Sequence, residues 1–144
     1  LWISIAAGVP LDVLGAALPR AARIVRAMPN TPALVRAGAT GLVGNAHATA
    51  EDRRTALDVF ESVGVAWEAP EEALLDAVTG LSGSGPAYLF AFLEALIDAG
   101  TAAGLPPDAA ERLAKHTVQG AARLALESER SPAELRRQVS SPGA

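Results

Sequence analysis

Residues 41–68, GLVGNAHATAEDRRTALDVFESVGVAWE, decide the fold class. Gly41-Leu42-Val43-Gly44 is short, apolar and bounded by glycines, which predicts a strand. Thr49-Ala50-Glu51-Asp52 then has a hydroxyl followed three residues later by a carboxylate. That is a capping box, and it predicts a helix running to Val63 with Leu57 and Phe60 facing inward and Gly64 as its left-handed stop. Val65-Ala66-Trp67-Glu68 predicts the next strand. The same alternation extends upstream. Trp2-Ile3-Ser4-Ile5 reads as a strand ending in Ala6-Ala7-Gly8, residues 10–18 read as a short helix with Leu11, Leu14 and Leu18 on one side, and Arg23-Ile24-Val25-Arg26-Ala27 reads as a further strand. Strands separated by helices at these intervals imply an α/β sheet, with Trp2 and Trp67 in its core.

Strand signals end near residue 70. Pro70, Pro86, Pro107 and Pro132 each stand at or just before a helical pattern, as expected of a residue with a preset φ and no N–H to lose. The expected helices run from Pro70 to Val78, from Pro86 to about Ala103, from Pro107 to about Glu127, and from Pro132 to Gln138, the last opened by a second capping box, Ser131-Pro132-Ala133-Glu134. Leu89, Phe92, Leu93, Leu96 and Ile97 make one apolar stripe; Ala110, Leu113, Ala114, Thr117, Ala121 and Leu124 make another of smaller residues. The expectation is thus α/β over 1–69 followed by all-α over 70–144.

Half of the 144 residues are apolar and 19% are charged, enough apolar content to build a core and too little charge for disorder. Twelve basic side chains against sixteen acidic ones give a net charge of −4, without the basic stripe that a phosphate backbone requires, so nucleic acid is not expected as a partner. No apolar run reaches the roughly 20 residues of a membrane span, and the start lacks the basic flank of a secretory signal, so a cytoplasmic protein is expected. There are no cysteines, and His47 and His116 stand alone, so neither thiolate chemistry nor a metal site is expected. The chain opens inside an apolar run and stops at Ser140-Ser141-Pro142-Gly143-Ala144, which reads as a piece cut at both ends.

Chemistry must then come from backbone dipoles, hydroxyls or a bound cofactor. Thr79-Gly80-Leu81-Ser82-Gly83-Ser84-Gly85-Pro86-Ala87-Tyr88 runs into a long helix. It reads either as an anion or carbonyl site, where free N–H groups meet the positive end of a helix dipole, or as an ordinary helix cap. Met28-Pro29-Asn30-Thr31-Pro32 and Ala6-Ala7-Gly8 follow strands, where open α/β sheets bind ligands, or are simply restrained loops. Glu72/Asp76 and Glu94/Asp98 are spaced to share a helix face. Such pairs either share a proton or form a solvated acidic patch in which one member meets a distant arginine.

Taken in order, Ser4-Ile5-Ala6-Ala7-Gly8, Met28-Pro29-Asn30-Thr31-Pro32, residues 76–88, Thr117-Val118-Gln119-Gly120-Ala121-Ala122 and Val139-Ser140-Ser141-Pro142-Gly143 closely resemble pyrroline-5-carboxylate reductase. The resemblance implies the C-terminal part of a Rossmann-type sheet domain over 1–69, joined to a helical dimerisation domain over 70–144 whose helices interlock in a homodimer. It implies hydride transfer from NADPH, or NADH, to 1-pyrroline-5-carboxylate, giving L-proline. Ala6, Ala7 and Asn30 match cofactor-binding positions. Ser82, Gly83, Ser84, Gly85 and Pro86 match the active-site loop. Gln138, Val139 and Ser141 match positions that touch the substrate from a partner subunit. In the family the last turn continues as Gly-Gly-Thr-Thr, whereas here Gly143 is followed by Ala144; Ala37 stands where some members carry glutamate and His116 where glutamine is commoner. A non-catalytic helical dimerisation module and a related imine or keto-acid reductase are the alternatives, and the isolated stretch is expected to be inactive.

Overall fold

A computed structural model describes residues 1–140. Its elements are β1 (Trp2–Ser4), α1 (Leu11–Ala17), β2 (Ile24–Met28), a 3-10 turn (Thr31–Val35), β3 (Gly38–Gly44), α2 (Ala50–Glu61), β4 (Gly64–Glu68), α3 (Leu74–Val78), a π-helical turn (Thr79–Gly83), α4 (Gly85–Ala102), α5 (Pro107–Glu127) and α6 (Pro132–Val139). The α/β-then-α order is the one the sequence implies. The chain divides into two compact units, Leu1–Tyr88 and Leu89–Ala144. Secondary structure changes character near residue 70, but Leu75 packs with Val43 and Ala69, so α3 belongs to the first unit.

In the first unit the four strands lie in chain order. β1 and β2 are parallel across α1, and β3 and β4 are parallel across α2. β2 and β3 are antiparallel. Only the Pro29-to-Ala37 turn joins that pair, too short for the crossover that parallel strands need. Both faces of the sheet's centre are covered. Val25, Ala27 and Leu42 meet Ala56 and Phe60 of α2 on one face, with Leu57 packed alongside. On the other, Val43 meets Leu75, with Leu11, Leu74 and Val78 around them. The Thr49 capping box forms as expected, its hydroxyl accepting from the Asp52 amide while Asp52 accepts from the Thr49 amide. That backbone bond holds the Asp52 carboxyl below its ordinary value against the opposing effect of burial, and the Thr49 hydroxyl and Arg23 guanidinium add to the lowering.

Several expectations are corrected. Gly64 does not stop α2, which ends at Ser62 in a right-handed conformation. It opens β4 directly opposite Gly38, where a Cβ would stand 2.0 Å from the Gly38 carbonyl oxygen. The helix expected from Pro70 starts at Leu74. Trp2 and Trp67 are not core: they are 53% and 50% exposed. β1 and β4 are the outer strands of this sheet, and Trp67 shares with Val65 a face that the five-residue α3 does not cover.

In the second unit α4 and α5 approach closely where Gly100 faces Ala110. Of its described residues only Ala110 and Ala114 are buried, while Leu89, Phe90, Phe92, Leu113, Leu124 and Leu126 are exposed. The second capping box also forms: the Ser131 hydroxyl binds Glu134 and lowers its carboxyl, with the Ser131 backbone amide adding to the effect.

Candidate functional site

Because β1 and β2 are parallel with Ser4 opposite Arg26, the chain leaves both strands at the same end of the sheet. Ala6 and Ala7 therefore follow β1 on the same side as Pro29 and Asn30 follow β2. The antiparallel register brings Gly38 and Ala39, the start of β3, to that end as well. Ala6 and Ala7 are exposed and Asn30 is half-buried.

Asn30 ties this end together. Its backbone carbonyl accepts from the Ala33 amide at 3.2 Å and so starts the 3-10 turn. Its side-chain Oδ1 accepts from the Ala39 amide at 2.9 Å, and its Nδ2 donates to the Ser82 carbonyl at 3.0 Å. Ser82 lies 52 residues further along the chain. Two glycines make that approach possible. A Cβ on Gly41 would stand 2.7 Å from a Val78 methyl, and one on Gly83 would stand 3.0 Å from Met28 Cε. Small residues at these two positions let the α3 segment lie directly on β3 and let the turn beyond it reach β2.

The Ser-Gly stretch is not an open loop. Thr79–Gly83 forms one π-helical turn between α3 and α4. The Ser84 amide donates to the Thr79 carbonyl at 2.8 Å, the Thr79 hydroxyl to Leu75 and the Ser82 hydroxyl to Val78. The free amide cluster expected there is thus partly used within the chain, because the backbone stays right-handed from Ala73 through Ser84. Single π turns inside helices recur at functional sites. Ser82, Gly83, Ser84, Gly85 and Pro86 are all half-buried.

Beside this turn lies a groove of about 350 Å³ lined by Gly41, Val65, Trp67, Val78, Leu81 and Ser82. No motif in the sequence marks this groove, and an expectation of Trp67 in the core hides it. The signal present was the alternation of Val65 and Trp67 against Ala66. Glu72 and Asp76 do not form a shared-proton pair. Glu72 Oε1 accepts from Arg26 at 2.6 Å and from the Leu11 amide at 2.8 Å, the distant-arginine outcome. No group of three or more potential metal-ligating side chains occurs among the described residues, and no described helix is long and apolar enough to cross a membrane. His47 and His116 are exposed.

In the second unit Gln138 and Val139 lie at the end of α6, both exposed. Val139 lines an apolar groove of about 280 Å³ with Ala121, Leu124, Ala125, Pro132 and Leu135. Ser141 lies outside the described residues.

A four-stranded sheet unit with three turns gathered at one end, followed by a helical unit whose apolar side chains are mostly uncovered, defines an α/β protein with an appended helical module. Comparison with known proteins names the family. The family model described as pyrroline-5-carboxylate reductase dimerisation matches residues 72–144, and the chain belongs to the pyrroline-5-carboxylate reductase family. It is 50% identical over 142 residues to pyrroline-5-carboxylate reductase of Pseudomonas aeruginosa, covering 99% of this chain and 52% of that protein. With the Escherichia coli protein of the same name it is 46% identical over 143 residues, covering 99% and 53%. Among solved structures, a pyrroline-5-carboxylate reductase from Coxiella burnetii matches at TM-score 0.92 with 46% identity, covering 99% of this chain and 53% of that one. Pyrroline carboxylate reductase of Plasmodium falciparum with NADP bound matches at TM-score 0.91 with 34% identity, covering 100% and 58%. The chain spans about half the length of the curated relatives it matches.

Proposed function

We propose that the protein reduces 1-pyrroline-5-carboxylate to L-proline using NADPH, with NADH as the other candidate, in the cytoplasm and as a homodimer. Residues 1–69 contribute to the nucleotide-binding domain and residues 70–144 to the dimerising helices. Support comes from the family, from the relative whose structure holds NADP, and from one structural observation that carries the reading: the Asn30 turn and the Ser82–Pro86 turn, which match the cofactor and active-site positions, are bonded to each other at one end of the sheet. The exposed apolar residues of α4 and α5 support association through that unit, since patches of this kind mark interfaces.

The residues fit a nicotinamide. Ala6 and Ala7, exposed and without bulk at the strand exit, leave a flat ring unobstructed, and Asn30 retains one N–H and one lone pair after its two internal bonds. When bound, that group supplies the hydride that the imine carbon accepts while a proton goes to nitrogen. The protein's own task is then orientation. Ala6, Ala7 and Asn30 bound the ring, the Ser82–Pro86 turn flanks the substrate, and Gln138, Val139 and Ser141 from a second copy hold its carboxylate and ring. A protonated cyclic imine is already electrophilic, so positioning at about 3 to 3.5 Å is the main requirement. By itself the chain, at half its relatives' length, is inactive in this reading.

The test is turnover by a full-length protein carrying this chain. Nucleotide oxidation is followed with 1-pyrroline-5-carboxylate, other cyclic imines and keto acids, alongside sedimentation. Turnover confined to another imine or keto acid favours a related reductase; a dimer that binds neither nucleotide nor proline favours a non-catalytic module, and either result ends the proposal.

A further inference from the structure

Pro86 creates a hydrogen-bonding deficit inside a continuous right-handed segment. In an α-helix the Ser82 carbonyl would accept from the amide four residues on, and that residue is proline, which has no N–H. The next amide in line, Ala87, is committed to the Ser84 carbonyl at 3.0 Å. Proline also crowds the carbonyl four residues before it, and the π-helical turn at Thr79–Gly83 is the kind of local widening that accompanies such a conflict. The Ser82 carbonyl, half-buried, instead receives the Asn30 Nδ2 at 3.0 Å.

We propose that Asn30 is a positioning residue whose carboxamide replaces the donor that Pro86 lacks, and so sets the path of the turn leading into α4. The other end of the same carboxamide is anchored on the Ala39 amide at 2.9 Å, so the strut runs from the start of β3 to the π-helical turn. Met28 against Gly83 and Val78 against Gly41 brace it on both sides. The consequence for function rests on the reductase reading: the turn beside the nucleotide and the turn beside the substrate move as one piece, and loosening the strut misplaces Ser84 and Gly85.

The experiment uses the full-length protein with Asn30→Asp, which keeps an acceptor for Ala39 and puts an oxygen where the donor was. Hydrogen exchange at the Ser84 and Ala87 amides should accelerate by roughly tenfold, the usual consequence of leaving one half-buried carbonyl unsatisfied, with α2 amides unchanged. The KM for the imine should rise with kcat lowered; because Asn30 also bounds the nucleotide ring in that reading, the strut itself is read from the exchange rates and not from the nucleotide KM. Adding Pro86→Ala supplies an amide at position 86, so in that background Asn30→Asp should have little further effect on exchange. Unchanged exchange at Ser84 and Ala87 overturns the proposal, as does an Asn30→Asp effect equal with and without Pro86→Ala. A raised nucleotide KM with unchanged exchange would leave Asn30 a ring contact only and end the strut. If the wild-type protein shows no reductase turnover, the functional reading fails while the exchange measurements still decide the strut.

Discussion

Substituting alanine for Gly64 tests the tightest contact in the sheet. The added Cβ would stand 2.0 Å from the Gly38 carbonyl oxygen, 2.4 Å from its nitrogen and 2.6 Å from its carbonyl carbon. All three are backbone atoms of β3, so no rotamer change relieves the clash. Reaching an ordinary contact requires the two strands to part by more than about 1 Å at this rung, and the Gly38 amide bond to Val63 beside it, 2.9 Å long, goes with it. Overpacking plus one or two lost backbone bonds amounts to about 3 to 5 kcal/mol. Gly8→Ala is the control. Gly8 has φ +72 and open space where a methyl would stand, so only the left-handed backbone penalty applies, about 1 kcal/mol. Urea denaturation followed by tryptophan fluorescence reads the first unit specifically, because both tryptophans lie in it. If Gly64→Ala and Gly8→Ala cost the same within about 0.5 kcal/mol, the close β3–β4 approach is not what Gly64 provides.

Gly41→Ala should cost about 1 to 3 kcal/mol by pressing on the Val78 methyls, and Val78→Ala in the same chain should recover most of that; an unrecovered loss in the denaturation midpoint would place the strain elsewhere. Glu72→Ala leaves both the Arg26 guanidinium, its side chain 11% exposed, and the Leu11 amide without their acceptor, at about 2 to 4 kcal/mol, whereas Arg26→Met with Glu72→Leu should cost far less; equal losses in urea would remove the ion pair from the account. The Asp52 carboxyl, lowered in the folded state, contributes stability that is complete at neutral pH and drains as pH falls through the ordinary carboxylate range toward its folded value. Asp52→Asn should flatten that acid limb in melting temperatures taken between pH 7 and 3, and an unaltered limb would show that Asp52 does not drive it.

Much of the fold was legible because it is local. Both capping boxes were readable as hydroxyl and carboxylate three residues apart, and both form. The strands of the α/β unit and the run of helices after residue 70 follow from patterns a few residues long. What failed did so where a second segment decided the outcome. Gly64 reads as a helix stop until Gly38 is placed opposite it, and Trp67 reads as core until α3 proves too short to cover β4. The Ser-Gly stretch reads as a cluster of free amides or a helix cap until its right-handed backbone is seen to run on from α3. The resemblance singled out Asn30 and Ser82, but neither residue announces the other.

By itself, then, the sequence determined which segments are strands and helices and where the capped helices α2 and α6 start, since caps, prolines and apolar periodicity act through bonds to near neighbours, while its ordered motifs carried the family resemblance. Tertiary structure alone decided that Asn30 bonds Ser82, that Glu72 serves Arg26 and Leu11, and which apolar side chains remain uncovered. Those outcomes depend on distances between segments tens of residues apart, and such distances exist only once the sheet has assembled and its helices have packed against it.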